Sequence, residues 1–245
     1  MNKFLVARVS VIATLLGAIS PVYSQDNDSQ KDNLPPAKGW YATLGGGVVV
    51  PTSPSVSFSI SEFSNTGSVT QSTAPSLEVG FGYDFGSIRT EFTYGYTPIN
   101  SSTLSVANSL VSASAPVSST YNINSFLFGA YYDIPTKSRW TPYIGGAIGP
   151  GLVSIPSFNS VIDGDSYVLS PTTSGVFAYQ AKAGVTYAAS KQFDLFAEAG
   201  YLGTSSLTLN ILQGPNPGET VSPLTLGPNG GFLAKIGFRY RIGGK

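Results

Sequence analysis

The stretch Leu77-Glu-Val-Gly-Phe-Gly-Tyr-Asp-Phe-Gly-Ser-Ile-Arg-Thr-Glu-Phe-Thr-Tyr-Gly-Tyr96 decides how the chain is read. Leu77, Val79, Phe81 and Tyr83 alternate with Glu78, Gly80, Gly82 and Asp84. Beyond Phe85-Gly86 the alternation resumes, with Ile88, Thr90, Phe92, Tyr94 and Tyr96 against Arg89, Glu91, Thr93 and Gly95. A period of two belongs to a strand with unlike faces, and the break marks a tight turn between two such strands. One face is greasy and aromatic; the other carries glycine, hydroxyls and charge.

The same division recurs along the chain. In 231–242, Ala234, Ile236, Phe238, Tyr240 and Ile242 oppose Lys235, Gly237, Arg239 and Arg241, and in 193–201, Leu195, Ala197, Ala199 and Tyr201 oppose Asp194, Phe196, Glu198 and Gly200. Eight segments of this kind are legible: 39–50, 75–84, 87–97, 120–134, 141–150, 174–188, 193–203 and 231–242. The gaps 51–74, 98–119, 151–173 and 204–230 are long and rich in Ser, Thr, Asn, Gly and Pro, whereas 85–86, 135–140 and 189–192 are short. Long and short connections alternate strictly. An antiparallel up-and-down arrangement then puts the long loops at one end and the short turns, with both chain termini, at the other.

Composition narrows the surroundings. Of the 245 residues 42% are hydrophobic and only 11% are charged, where a water-facing surface carries about 25–35% charged residues. Thirteen basic residues balance thirteen acidic ones, so nothing points to nucleic acid. The absence of Cys and His removes disulfides, most zinc sites and His-dependent triads. Lys3 and Arg8 precede or open an apolar run from Val9 to Ile19, followed by Val22-Tyr-Ser24. This is the pattern of a signal peptide over 1–24, too short to span a bilayer. Residues 25–38, with Pro35-Pro36, read as a polar linker, and 39–245 as one barrel domain.

Two closed barrels fit such alternation, and they are inside-out versions of each other. A secreted lipocalin-like barrel turns its polar face to water and stores a ligand within; a transmembrane barrel turns its apolar face to lipid. Here the polar face is mostly Gly and Thr, which suits a crowded interior. The apolar face also ends in aromatics: Trp40, Tyr83, Tyr132, Trp140, Tyr187 and Tyr240 towards the short turns, and Tyr96, Tyr121, Phe177 and Tyr201 towards the long loops. Two such bands match two lipid–water interfaces. The expected fold is therefore all-β: an eight-stranded antiparallel transmembrane β-barrel with four long loops at one end.

With lipid outside, Glu78, Arg89, Glu91, Lys182, Asp194, Glu198, Lys235, Arg239 and Arg241 point into the lumen, with Asp84 near its rim. Their signs nearly balance. A network of paired charges plugs a lumen, whereas a conducting pore more often carries a ring of one sign; a gated channel through a rearranged network stays open as an alternative. Turns suggest registers. A loop at Phe85-Gly86 sets Gly82 opposite Arg89 and Gly80 opposite Glu91; pairing Tyr187 with Phe193 sets Lys182 opposite Glu198. Matching Glu198 to Lys235 would also match Asp194 to Arg239.

The runs Gly39-Trp-Tyr-Ala-Thr-Leu-Gly-Gly-Gly, Tyr131-Tyr-Asp-Ile, Thr141-Pro-Tyr-Ile-Gly-Gly-Ala-Ile-Gly and Ala234-Lys-Ile-Gly-Phe-Arg-Tyr-Arg-Ile resemble the eight-stranded outer-membrane barrel and surface-antigen family, similar to the OmpA transmembrane domain. The resemblance implies a bacterial outer-membrane location with extracellular loops and periplasmic termini, with outer-membrane lipids as surroundings and assembly by the barrel-insertion machinery. Such barrels commonly finish on an aromatic residue, whereas here Ile242 precedes Gly-Gly-Lys. With no peptidoglycan-binding domain following, the barrel is expected to act through its loops, lumen or lipid face.

The functional expectation is a non-enzymatic, envelope-stabilising surface protein whose loops contact an unidentified extracellular ligand, and no cofactor motif is present. Outer-membrane lipid hydrolases that resemble this architecture pair Ser with His. Ser101, Ser102, Ser118 and Ser119 have no such base and read as loop hydroxyls. Asp163-Gly-Asp165 lacks the rest of a calcium loop and reads as a turn.

Overall fold

The computed structural model describes residues 38–60, 63–107, 112–162, 165–169, 171–209, 211–213 and 223–242. The 1–24 and 25–37 segments, Asp163 and the Gly-Gly-Lys end lie outside the described residues. Eight strands build the barrel: β1 (Gly39–Pro51), β2 (Ala74–Asp84), β3 (Ile88–Ala107), β4 (Ser112–Asp133), β5 (Trp140–Ile155), β6 (Thr172–Ala188), β7 (Phe193–Thr204) and β8 (Asn229–Ile242). Each pairs antiparallel with its sequence neighbour, and β1 pairs with β8 from Trp40↔Ile242 to Pro51↔Gly231, so the ring closes. Closure leaves no free edge within the wall, where unpaired N–H and C=O groups would be costly in lipid.

The outer face is apolar. Ile236 is 71% exposed, Phe128 60% and Ile144 and Ile148 each 59%. Along β8 the outward series runs Phe232, Ala234, Ile236, Phe238, Tyr240, Ile242; ten steps of ~3.3 Å at a ~40° tilt make a belt about 25 Å high. That is the height of a hydrocarbon core. Trp40, Tyr132, Trp140 and Tyr240 are exposed and Tyr83 and Tyr187 partly so, all within reach of the short-turn end. Trp40 stacks on Phe81 and meets Tyr83 edge-on, each at 5.1 Å, and Trp140 lies 4.7 Å from Tyr187. On the long-loop side Tyr96, Phe177 and Tyr201 face outward, but Tyr121 does not. It is 5% exposed and packs inside, because it shares parity with Ile123, Leu127 and Tyr131, the inward set of β4.

The expected registers across two short turns need correction. Asp84 pairs with Arg89, so Gly82 faces Glu91 and Gly80 faces Thr93, not Arg89 and Glu91. The loop is Gly86-Ser87: Phe85 N–H donates to the Ile88 carbonyl at 2.9 Å, and Gly86 takes φ +118°. A two-residue hairpin needs positive φ at a central position, which places glycine inside the loop. At the β6–β7 turn, Tyr187 pairs with Leu195, so Lys182 faces Gly200 and Glu198 faces Gly184. Ser190 Oγ accepts from the Phe193 N–H at 3.0 Å and tightens that turn. Each correction moves one residue on both strands, so every side chain keeps its face. Between β7 and β8 the ladder pairs Glu198 with Lys235 and Asp194 with Arg239, as charge matching anticipates.

Three of the long connections are also more ordered than their composition suggests. β3 and β4 continue past the lipid belt to Ala107 and from Ser112. Strands Ser55–Ile60 and Phe63–Gln71 form a hairpin that pairs with the upper part of β3. Leu224–Leu226 adds to that hairpin, and Leu207–Leu209 adds to Leu224–Leu226. Beneath them Val56, Ile99, Tyr121, Ile123, Val153, Val176, Leu207 and Leu226 form an apolar cluster. The chain on the long-loop side thus carries its own core.

Candidate functional site

The interior changes character along its axis. At the short-turn end the inward positions are Asp84, Arg89, Asp133, Asp194 and Arg239; one to three inward positions on come Glu78, Glu91, Lys182, Glu198 and Lys235. Arg241 stands at the rim with its side chain 19% exposed. The next inward positions mix buried polar side chains, Ser76, Thr93, Thr97, Ser125 and Gln180, with two small apolar clusters, Val49, Leu202 and Leu233 in one and Leu127, Ala147 and Ala178 in the other. Above them lies the apolar cluster under the long loops.

Glu78 is the hub. Its Oε1 accepts from Lys182 Nζ at 2.5 Å and its Oε2 from Lys235 Nζ at 2.6 Å, joining β2 to β6 and β8 across the lumen. Lys182 Nζ also lies 3.2 Å from Glu198 Oε1, and Tyr143 O–H donates to Glu198 Oε2 at 2.7 Å. A second group centres on Arg89. Its Nε donates to Asp133 Oδ1 at 3.0 Å, and its guanidinium sits between the rings of Tyr131 (4.5 Å) and Tyr143 (4.4 Å), with Glu91 at 3.7 Å. At the rim Asp194, fully buried, takes Arg241 at 2.8 Å and Arg239 at 3.7 Å, and Arg239 lies over the Tyr41 ring at 5.0 Å. Ions removed from water this far survive only when each has an opposite charge and further hydrogen-bond or ring partners.

Glycine makes room for this. Three inward tyrosines each stand directly opposite an inward glycine: Tyr41↔Gly82, Tyr131↔Gly145 and Tyr143↔Gly184. A Cβ on Gly82 would lie 2.6 Å from the Tyr41 ring, on Gly145 2.4 Å from Tyr131 and on Gly184 2.7 Å from Tyr143. Each ring occupies the space over the neighbouring strand's glycine, and Arg89 packs against Tyr131 and Tyr143 as Arg239 does against Tyr41. The space left among Thr43, Glu78, Arg89, Glu91, Lys182 and Glu198 is about 10 Å³, room for a single water.

All nine lumen residues named from the sequence come together here. The residues not anticipated are Asp133, the partner of Arg89, and Tyr41, Tyr131 and Tyr143. Parity could have found Asp133, since an outward Tyr132 forces it inward. A second polar cluster was also illegible: inside the apolar cap, Tyr121 Oη accepts from Gln71 Nε2 at 2.6 Å and from Asn229 Nδ2.

With this geometry in view, comparisons with known proteins place the chain. Residues 49–213 match the profile described as surface antigen. The chain belongs to the surface-antigen family. No curated protein matches it by sequence. Among solved structures, the outer membrane protein OprG of Pseudomonas aeruginosa is 18% identical with a TM-score of 0.52, and the match covers 84% of this chain and 97% of that one. Neisserial surface protein A is 18% identical with a TM-score of 0.47, over 83% of this chain and 97% of that one. The outer membrane protease OmpT of Escherichia coli is 7% identical with a TM-score of 0.49, over 87% and 100%. OprG supports the fold: this surface-antigen chain is an eight-stranded transmembrane barrel built like those of bacterial outer membranes.

Proposed function

We propose that this surface antigen is a non-enzymatic outer-membrane barrel, closed to solute flow, that lies with its short turns and termini in the periplasm and offers its long loops to extracellular partners. The observation that carries this reading is the filled interior. The charged layer leaves about 10 Å³, and buried side chains, with an apolar cluster beneath the long loops, fill the interior above it. A hydrated ion would have to part several ion pairs and that cluster. The chain contains no His, and among the described residues the buried Glu78, Glu91, Asp133, Asp194 and Glu198 are paired with cations while Asp84 accepts from the Gly86 N–H, which favours a structural role for them over acid–base chemistry. The ladder that joins 207–209, 224–226, 55–60, 63–71 and β3 gives the loop end a defined shape for contact.

The test has three parts. Protease added to intact cells should cut within the long connections and spare the short turns. Purified protein in planar bilayers should be silent. Replacing 205–228 and 52–73 by short turns should abolish binding of the bacteria to their surface ligand. Binding unchanged after loop removal would sink the contact role; steady conductance would sink the plug. A gated channel is the second reading, favoured by Asp194 Oδ1 and Arg239 Nε, buried without hydrogen-bond partners. Admitted water would satisfy both atoms and loosen that corner of the network.

A further inference from the structure

We propose that the short-turn end carries a cationic collar that binds the phosphate headgroups of anionic glycerophospholipids, through Lys38, Lys137, Arg139 and Lys191. These four side chains are exposed, and among the described residues none forms an ion pair. The acids of the same end are turned inward: Asp84 is 5%, Asp133 7% and Asp194 0% exposed. Among the described residues, the lumen has sequestered the negative charge of this end and left positive charge outside. Among the described residues, a phosphate approaching this end from the bilayer meets no exposed carboxylate.

The position suits headgroups. Arg139 immediately precedes Trp140 and Lys137 lies three residues before it; Lys191 lies two before Phe193 and Lys38 two before Trp40. Trp40, Trp140 and Phe193 all face outward. Exposed aromatic rings of this kind settle at the boundary between acyl chains and headgroups, and a Lys or Arg just beyond them extends its stem along the apolar surface and its charge to the phosphates. Lys38 reaches across the first turn, its Cε 3.5 Å from where a Gly86 Cβ would stand. The cations therefore come from three separate places around the rim.

The opposite end has the opposite sign. The four long connections contain Glu62, Asp163, Asp165 and Glu219 and no Lys or Arg. Among the described residues the exposed positive charge therefore gathers at the short-turn end, which is the end that complements an anionic leaflet. This holds whatever partner the long loops meet.

The test is lipid selectivity in reconstituted bilayers. The protein is placed in phosphatidylcholine containing a minority of phosphatidylglycerol, and spin-labelled versions of each report their share of the motionally restricted shell. Phosphatidylglycerol should be preferred about three-fold, falling to near parity in ~1 M salt, where the screening length is ~3 Å. The variant K38Q/K137Q/R139Q/K191Q should show parity at low salt while keeping the heat-shifted gel mobility of the folded barrel. Equal partition with the unaltered protein, a preference insensitive to salt, or a preference that survives in the quadruple variant would each overturn the proposal. The salt series on the unaltered protein decides the matter even if the variant does not fold.

Discussion

Lys182 Nζ lies 3.2 Å from Glu198 Oε1, although the two residues are not opposite each other in the ladder. Lys182 faces Gly200 and Glu198 faces Gly184. Each long side chain stands over a glycine and leans diagonally, so contact is made between residues two places out of register. The same freedom lets Lys182 reach Glu78 on the far side of the lumen. A wall of alternating glycine and charge trades the fixed cross-strand pairing of an ordinary sheet for a network that spans the barrel.

Glu78 bridges two buried ammonium groups, so its loss should cost more than that of either partner. Glu78→Gln should lower unfolding stability by about 3–5 kcal/mol, because Lys182 and Lys235 both lose their closest anion. Replacing all three by apolar residues of similar volume should recover most of the loss. Denaturant titration of the lipid-reconstituted protein measures both. A Glu78→Gln variant as stable as the parent would show that the network carries no stability.

Two glycines should respond in opposite ways to one methyl group. Gly145→Ala places a carbon 2.4 Å from Tyr131 and 2.3 Å from the Ala130 carbonyl, and should cost about 1–3 kcal/mol. Gly175→Ala meets nothing within 4 Å, and should change stability by less than about 0.5 kcal/mol. Equal effects at the two sites would mean that the inward rings are not seated on glycine.

A charge on the outer face should be penalised by depth. Ile236→Lys, in the middle of the belt, should cost about 2–4 kcal/mol, and Ile242→Lys, near its edge, less than about 1 kcal/mol. Folding titrations into bilayers compare them. A barrel with water outside would tolerate Ile236→Lys freely, since the site is 71% exposed.

Tyr121→Phe deletes the oxygen that takes hydrogen bonds from Gln71 and Asn229. Two buried amides then lose a partner, at about 1–3 kcal/mol each. The loss falls in the cap, so protease should cut the long connections faster while gel mobility of the barrel is unchanged. A cutting rate equal to the parent's would show that these three residues do not secure the cap.

Strand number and facing were legible because lipid and a packed lumen impose unlike chemistry on alternate positions, as in Phe81 against Gly82 or Tyr240 against Arg239. Register was legible only where charge dictated it, at Asp194↔Arg239 and Glu198↔Lys235. At the short turns it depended on hydrogen bonds of Phe85 and Ser190 that residue types alone do not specify. The apolar cap escaped detection for a different reason. Above Ile99 and Ile123 the outward positions become Asn100, Asn122 and Thr120 while inward ones become aliphatic, so contrast persists with its meaning reversed. Tyr121 was misplaced by that reversal. Strands such as Ser55–Ile60 and Ser112–Thr120 are so rich in serine that they resemble loop, and only their pairing reveals them.

The seam between β1 and β8 has a consequence in time. It joins the beginning of the domain to its end, and Glu78 meets Lys235 across 157 positions of sequence. Until the final strand has been synthesised, a nascent chain has nothing to shut against and exposes two raw edges. Maturation is therefore postponed to the last moments of biogenesis, and a chain truncated before Asn229 has no completed ring to fall back on.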